Sequence, residues 1–385
     1  MTANQHGLTT YSEREKRTAK LIVVSAVSFT EGGPLTILQD CLNNASEHLP
    51  SSWKIVALVN SASIKCDGRI HLLPIPSAKK SWLFRLYWEW IGFYGLALRL
   101  KPHLWLSLHD ITPRLPPCRQ AVYCHNPAPF YRISPHEALL SPGFLAFNLF
   151  YAYLYKILIH RNDAIIVQQS WLRNEFTARF GHLPIIVAHP STSVEPLPSR
   201  DNHAHSTVTR FSYPAFPRVF KNFEILGDAA KALVRAGLLD FELCFTISGC
   251  ENRYSRYIHK KYASLPQIRF VGRQSAAEMR DLYSSSDAIV FPSRLETWGL
   301  PLTEAKAYKK PILAADLPYV REALGSYELV SLFPVNSAQA LSNLMAETIQ
   351  GTWRPSGNQA VAINQPFSSN WESLWEYLIS PSSES

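Results

Sequence analysis

Residues Asp287 to Ala307 read as a strand, a sharp corner and a helix in immediate succession, and no other segment limits the fold as much. Asp287-Ala288-Ile289-Val290-Phe291 is short, apolar and β-branched, as expected of a strand covered on both faces of a parallel sheet, and Pro292-Ser293 ends it. Gly299 frees the backbone, Pro301 suits the first helical position, and Glu304-Ala305-Lys306-Ala307 continues a helix. Such a corner leaves unpaired N–H groups and the positive end of a helix dipole above the strand, where an anion is favoured. Glu296 and Glu304, eight positions apart, flank that place. A nucleotide diphosphate carrying a sugar fits the description: phosphates on the N–H groups of Gly299 and Leu300, hydroxyls donating to the two carboxylates.

The same strand and helix alternation fills the chain in two halves, the pattern of doubly wound α/β domains. In the first half the expected strands are Leu21–Val27, Trp53–Val59, His103–Leu108, Gln120–Cys124 and Asp163–Gln168. In the second they are Thr207–Tyr213, Phe241–Ile247, Ile268–Val271, Ala288–Phe291 and Pro311–Ala314. A polar, proline-bearing stretch separates the halves. The expected organisation is a polar tail over 1–19, a first domain over 20–192, a linker over 193–206 and a second domain over 207–365. Residues 366–385 add a helix and a tail, the helix drawn from the apolar spacing of Trp371, Leu374, Trp375 and Leu378.

The 385-residue length suits two domains, and 46% hydrophobic residues can fill two cores. A formal net charge of +8 favours anionic partners such as nucleotide sugars or anionic lipids. Nucleic acid is not expected as a partner, because there are no zinc-finger cysteines, no aromatic RNA-binding motif and no dense basic stripe. The six cysteines form no Cys-x-x-Cys pair and read as reduced thiols, and the run Leu21–Val27 reads as a first strand rather than a signal peptide. A cytoplasmic protein is the expectation. Motifs of other nucleotide binders are missing: no Gly-x-Gly-x-x-Gly, no Walker loop, and no Asp-x-Asp pair to hold a divalent ion. With no metal expected, a leaving diphosphate must be met by cations and N–H dipoles. Tyr213-Pro214-Ala215-Phe216-Pro217-Arg218-Val219-Phe220-Lys221-Asn222 follows a strand where such loops bind ligands, and offers Arg218 and Lys221; the alternative is a pair of solvated loop cations.

The segment from Glu296 to Glu304 resembles the signature of the retaining glycosyltransferases of family 4, the group 1 glycosyltransferases: Glu, seven residues, Glu, around an aromatic residue and Gly-Leu-Pro. Thr297 stands where that family usually has glycine. The resemblance implies two Rossmann-like domains facing across a cleft, the GT-B type, with the donor on the second domain, the acceptor on the first, and a last helix crossing back. It implies that Glu304 holds the ribose, Glu296 contacts sugar hydroxyls, Lys221 and Arg218 neutralise the diphosphate, and His125, in Tyr123-Cys124-His125-Asn126-Pro127, positions the sugar. Arg218 lies closer to Lys221 than the family spacing. Gly33, in Glu31-Gly32-Gly33-Pro34, matches a glycine pair near acceptor and donor phosphates, although a plain tight turn reads equally well. Asp110 also follows a strand and is a lesser candidate.

The expected activity is transfer of a hexose, with retention, from a nucleotide diphosphate sugar to a hydroxyl of a glycan or lipid-linked saccharide in surface polysaccharide assembly. No cofactor beyond that donor is expected. The alternatives are a nucleotide-sugar epimerase of the same fold and a non-catalytic sugar-binding subunit. The aromatic run Trp82 to Tyr94, behind Lys79-Lys80, has two readings: a core helix of the first domain, or a helix in peripheral contact with the inner face of a membrane. Leu139–Tyr155 is apolar too, but Pro142, Gly143 and Asn148 argue against a spanning helix.

Overall fold

The computed structural model describes residues 20–30, 32–61, 63–190 and 208–380. The expected tail 1–19 and linker 193–206 lie outside the described residues. The chain divides into two compact units: Met1–Asn126, Tyr151–Ser191 and Asn364–Ser385 form the first, Pro127–Phe150 and Thr192–Ile363 the second. Residues 127–150, read from the sequence as part of the first domain, thus group with the second unit.

The first unit is built on β1 (Lys20–Ala26), β2 (Trp53–Val59), β3 (Ile70–Pro74), β4 (Leu104–Ser107), β5 (Arg119–Cys124), β6 (Ala164–Val167) and β7 (Ile185–Ala188). The second contributes β8 (Thr209–Tyr213), β9 (Phe241–Phe245), β10 (Ile268–Phe270), β11 (Ala288–Phe291), β12 (Ile312–Ala315) and β13 (Val330–Phe333), and β14 (Phe367–Ser368) returns to the first. The sheets run β14-β7-β6-β5-β4-β1-β2-β3 and β10-β9-β8-β11-β12-β13, and every pairing is parallel. Strands β3, β7, β13 and β14 were not anticipated; they are edge or near-edge strands of two to five residues.

Helices cover both faces of the first sheet, which is why its strands are largely apolar. Along β1, Ile22, Val24 and Ala26 join one core with Leu38 and Leu42 of helix Gly32–His48 and with Trp371 and Trp375 of helix Trp371–Ile379. Val23 joins the other with Phe93 and Ala97 of helix Phe93–Leu100 and with Trp105. Loops at the carboxyl ends of strands where the order reverses are where an open α/β sheet receives ligands. The reversal falls between β1 and β4 in one sheet and between β8 and β11 in the other. The loops so gathered are those leading to Gly33 and Asp110, and those carrying Lys221 and Glu296.

The corner after β11 takes the expected form, with the helix one residue earlier, at Leu300–Ala307, so that Pro301 is its second residue. Gly299 has φ +87°, and a Cβ there would meet Leu302 Cδ1 at 3.3 Å and the Phe291 ring at 3.4 Å. Gly299→Ala should therefore destabilise the fold by about 1–2 kcal/mol, the cost of a left-handed residue bearing a Cβ. Urea unfolding of the two proteins measures it; equal midpoints would show that the corner tolerates a side chain.

Candidate functional site

In the second unit the loops after β8 and β11 are stitched together by backbone and amide bonds. Asn222, left-handed at φ 57°, buries its side chain and donates from Nδ2 to Pro292 O (3.2 Å) and Val335 O (3.1 Å). Arg294 N donates to Phe220 O at 2.7 Å, and Tyr213 Oη donates to Lys221 O at 2.8 Å. Between these clamps the Lys221 ammonium meets the Glu296 carboxylate directly. Only 14% of the lysine side chain and 15% of the glutamate remain exposed, so each charge is largely removed from water and stabilised by the other. Two residues singled out separately in the sequence are thus one ion pair.

Glu304 is held elsewhere. Tyr283 Oη, from helix Ala276–Ser285, donates to its Oε2 at 2.5 Å, and the Tyr283 ring stacks on Tyr308 with centroids 5.4 Å apart. Burial and the Glu304 charge push the Tyr283 phenol well above its usual range, so it stays a donor. Leu300 is exposed at the start of its helix, while Gly299 is buried beneath it. Arg218 is exposed and places its guanidinium 5.3 Å from the Phe216 ring centre. Sequence reasoning passed over Arg294, which donates to Glu137 Oε1 at 3.0 Å. That carboxylate also accepts from Tyr131 Oη (2.6 Å), Ser134 N and Ser134 Oγ (2.9 Å each), fastening segment 127–150 within this unit. No local pattern announces a contact across 157 positions of chain.

In the first unit Gly33 lies in the first turn of helix Gly32–His48, and the left-handed residue is Gly32 (φ +67°) rather than Gly33; Glu31 lies outside the described residues. His125 packs edge to face on Phe29 at 5.3 Å, and its Nδ1 stands 3.6 Å from Asp110 Oδ1, beyond hydrogen-bond range. Asp110, left-handed at φ 71°, proves to be the fastener of this loop: its Oδ1 accepts from His125 N (2.7 Å), Asn126 N (3.0 Å) and Tyr155 Oη (2.9 Å).

Behind that loop lies a buried polar group that the sequence did not reveal. Arg85 Nε donates to Glu89 Oε1 at 2.7 Å, the same oxygen lies 3.3 Å from His109 Nδ1, and His109 Nε2 meets Ser25 Oγ at 3.0 Å. Burial pushes the Glu89 carboxyl up to about 7 against the pull of Arg85, and holds His109 well below its usual range, reinforced by the Arg85 and His125 charges. Among the described residues, no group of three or more His, Cys, Asp or Glu gathers as metal ligands would.

Two all-parallel α/β units, with an ion pair set at the strand-order reversal of the second, define a glycosyltransferase-type architecture known as GT-B. Residues 206–360 match the family model described as glycosyl transferases group 1. The O-antigen chain mannosyltransferase RfbU of Salmonella typhimurium is 21% identical over 261 residues, 64% of this chain and 67% of that protein. Among solved structures, WaaG, a glycosyltransferase involved in lipopolysaccharide biosynthesis, superposes with a TM-score of 0.61 at 12% identity, covering 86% of this chain and 90% of its own. Anabaena HepE in complex with UDP-glucose gives 0.58 at 14% identity, with coverages of 86% and 90%. At such identities these structures speak for the fold.

Two outcomes are expected. Lys221→Met leaves the largely buried Glu296 without its partner, so it should destabilise the protein, and Glu296→Gln added to it should restore part of the loss. A double-mutant cycle by urea unfolding should give a coupling of about 1–2 kcal/mol, less than a fully buried pair; no coupling would make the contact incidental. For Glu89, the unfolded chain releases the proton in the ordinary carboxyl range while the folded protein keeps it to about 7. Stability from neutral Glu89 is therefore present at acid pH and lost as pH rises through 7. Glu89→Gln cannot ionise, so its stability relative to wild type should improve from about pH 5 to about pH 8. His109 opposes this trend in both proteins, since only its unfolded form gains a proton near 6.5. A constant difference across that range would mean that Glu89 stays charged.

Proposed function

We propose that the protein is a retaining, family 4 glycosyltransferase that moves a hexose from a nucleotide diphosphate sugar to a hydroxyl of a glycan or lipid-linked saccharide, on the cytoplasmic side, in surface polysaccharide assembly. The observation that carries this reading is the Lys221–Glu296 pair at the β8/β11 reversal, within the part of the chain that matches the group 1 family. A diphosphate arriving there takes Glu296's place as counter-ion to Lys221. Glu296 is then released to accept hydrogen bonds from sugar hydroxyls, next to the ring on which positive charge develops. Arg218 and the N–H groups of Gly299 and Leu300 share the phosphate charge. Glu304, oriented by Tyr283, accepts from the ribose hydroxyls. His125, on a loop pinned by Asp110, is the first unit's candidate for positioning the transferred sugar. The pathway is suggested by the likeness to RfbU, named for the O-antigen chain, and to WaaG, named for lipopolysaccharide.

The test is to screen purified protein for acceptor-dependent nucleotide release, starting with UDP-glucose, the ligand of the HepE complex, and with nucleotide-activated mannose because RfbU is a mannosyltransferase. Product with the donor's anomeric configuration, formed in the presence of a chelator, is expected. Strict need for an added divalent ion would overturn the metal-free part, epimerised free donor would favour an epimerase, and donor binding without turnover a sugar-binding subunit. Glu304→Gln should mainly weaken nucleotide binding in calorimetry, while Glu296→Gln should mainly lower the single-turnover rate. Lys221→Ala should cost about 2–4 kcal/mol of transition-state stabilisation. Unchanged binding in the first variant together with unchanged rate in the second would make both carboxylates structural.

A further inference from the structure

The run from Trp82 to Leu100 is folded the wrong way round for a helix facing water. It consists of helix Trp82–Tyr87, a wide turn over Trp88–Gly92 and helix Phe93–Leu100. The side turned inward carries Arg85, Glu89, Phe93 and Ala97, at four-residue spacing and all buried. The side turned outward carries Leu83 (79% exposed), Tyr87, Ile91 (62%), Tyr94 and Leu98. A surface helix normally puts its charges out and its leucines in. Here the buried Arg85 and Glu89 pair with each other, and the stripe left to solvent is aliphatic and aromatic.

Charge around the stripe has a single sign. Between Pro76 and Lys101 the only acidic residue is Glu89, which is buried, whereas Lys79, Lys80, Arg99 and Lys101 at the two ends are exposed. Trp82 packs edge to face on Tyr151 at 5.9 Å, and from the same helix, Pro142–Lys156, Tyr153 is exposed at 65%. The aromatic surface therefore continues onto the part of that helix, from Tyr151 onward, that belongs to the first unit. The helical stretch Pro142–Arg161 is long and apolar enough, by length and composition, to cross a membrane, yet Leu154, Tyr155 and Ile159 are buried in the protein. A span would strip those side chains from the core, so this helix too meets a membrane only from one side.

We propose that this face docks on an anionic lipid bilayer, with the 82–100 helix lying in the plane of the interface. Leucine, isoleucine and tyrosine side chains enter the boundary between headgroups and acyl chains, and the flanking lysines and arginines meet the lipid phosphates. A protein groove would need acidic groups beside apolar pockets to match both features. A second copy of this chain would bring the same cations against these. An anionic membrane answers both at once.

The experiment is sedimentation of the full chain with vesicles, without any substrate, so that its failure is separate from failure of the sugar-transfer reading. Wild type should pellet with an equimolar mixture of phosphatidylcholine and phosphatidylglycerol and far less with phosphatidylcholine alone. Leu83→Asp/Ile91→Asp, changed at exposed positions and checked for an unaltered melting temperature, should lower the bound-to-free ratio at least tenfold. Lys80→Glu/Arg99→Glu should lower binding to the anionic vesicles only. The proposal is overturned if wild type stays in the supernatant, or if the Asp pair binds like wild type. A wild-type dimer that ignores vesicles and falls to monomers on the Asp substitutions would also overturn it, giving the face to a second copy.

Discussion

Every strand pairing in both sheets is parallel, and the rest follows from that constraint. Parallel neighbours cannot be joined by a tight hairpin; each connection crosses the sheet through a helix or a long loop, and helices come to cover both faces. Polar side chains then have little place on the strands themselves. They collect on the loops at the carboxyl ends, above all where the strand order reverses. Lys221 and Glu296 belong to loops 75 positions apart in the chain, and β8 lying beside β11 brings them into contact.

What the ligand-free site holds is a set of charges that already have partners. Lys221 is neutralised by Glu296, Glu304 is held by Tyr283, and Arg294 is joined to Glu137. A partly desolvated charge left alone would be costly, and pairing it keeps the folded protein stable. The His125 loop follows the same economy of position: its backbone N–H groups are tied to a buried carboxylate whose own backbone sits in a left-handed conformation.

The 82–100 helix joins these themes. Its inward face delivers Arg85 and Glu89 to His109, next in sequence to Asp110, and its outward face is apolar. The two readings drawn from its sequence were a core helix and an interfacial one. Phe93 and Ala97 do belong to a core, but the exposed Leu83, Ile91 and Leu98 do not. A largely apolar composition with two buried charges gives no unique direction to the helix until a specific partner, here His109, fixes which side turns in.

The fold class was legible because parallel strands buried on both faces are short apolar runs, and β2 and β11 begin and end where their composition says. The Gly-Leu-Pro corner was legible for the same local reason: a left-handed backbone and a helix start each demand particular residues. Gly33 shows the limit, since two adjacent glycines offer the same freedom and only the fold chose Gly32 for the left-handed position. The edge strand β14, of two residues, carried too few for any period. The sequence by itself determined the central strands, the Gly-Leu-Pro corner and which residue types stand at those carboxyl ends, because backbone propensity and hydrophobic period act over a few neighbours. Only the tertiary structure decided that Lys221 pairs with Glu296, that Arg294 reaches Glu137, and that Glu89 stands against His109, because electrostatic partners are chosen by distance in space, which strand order sets and chain spacing does not.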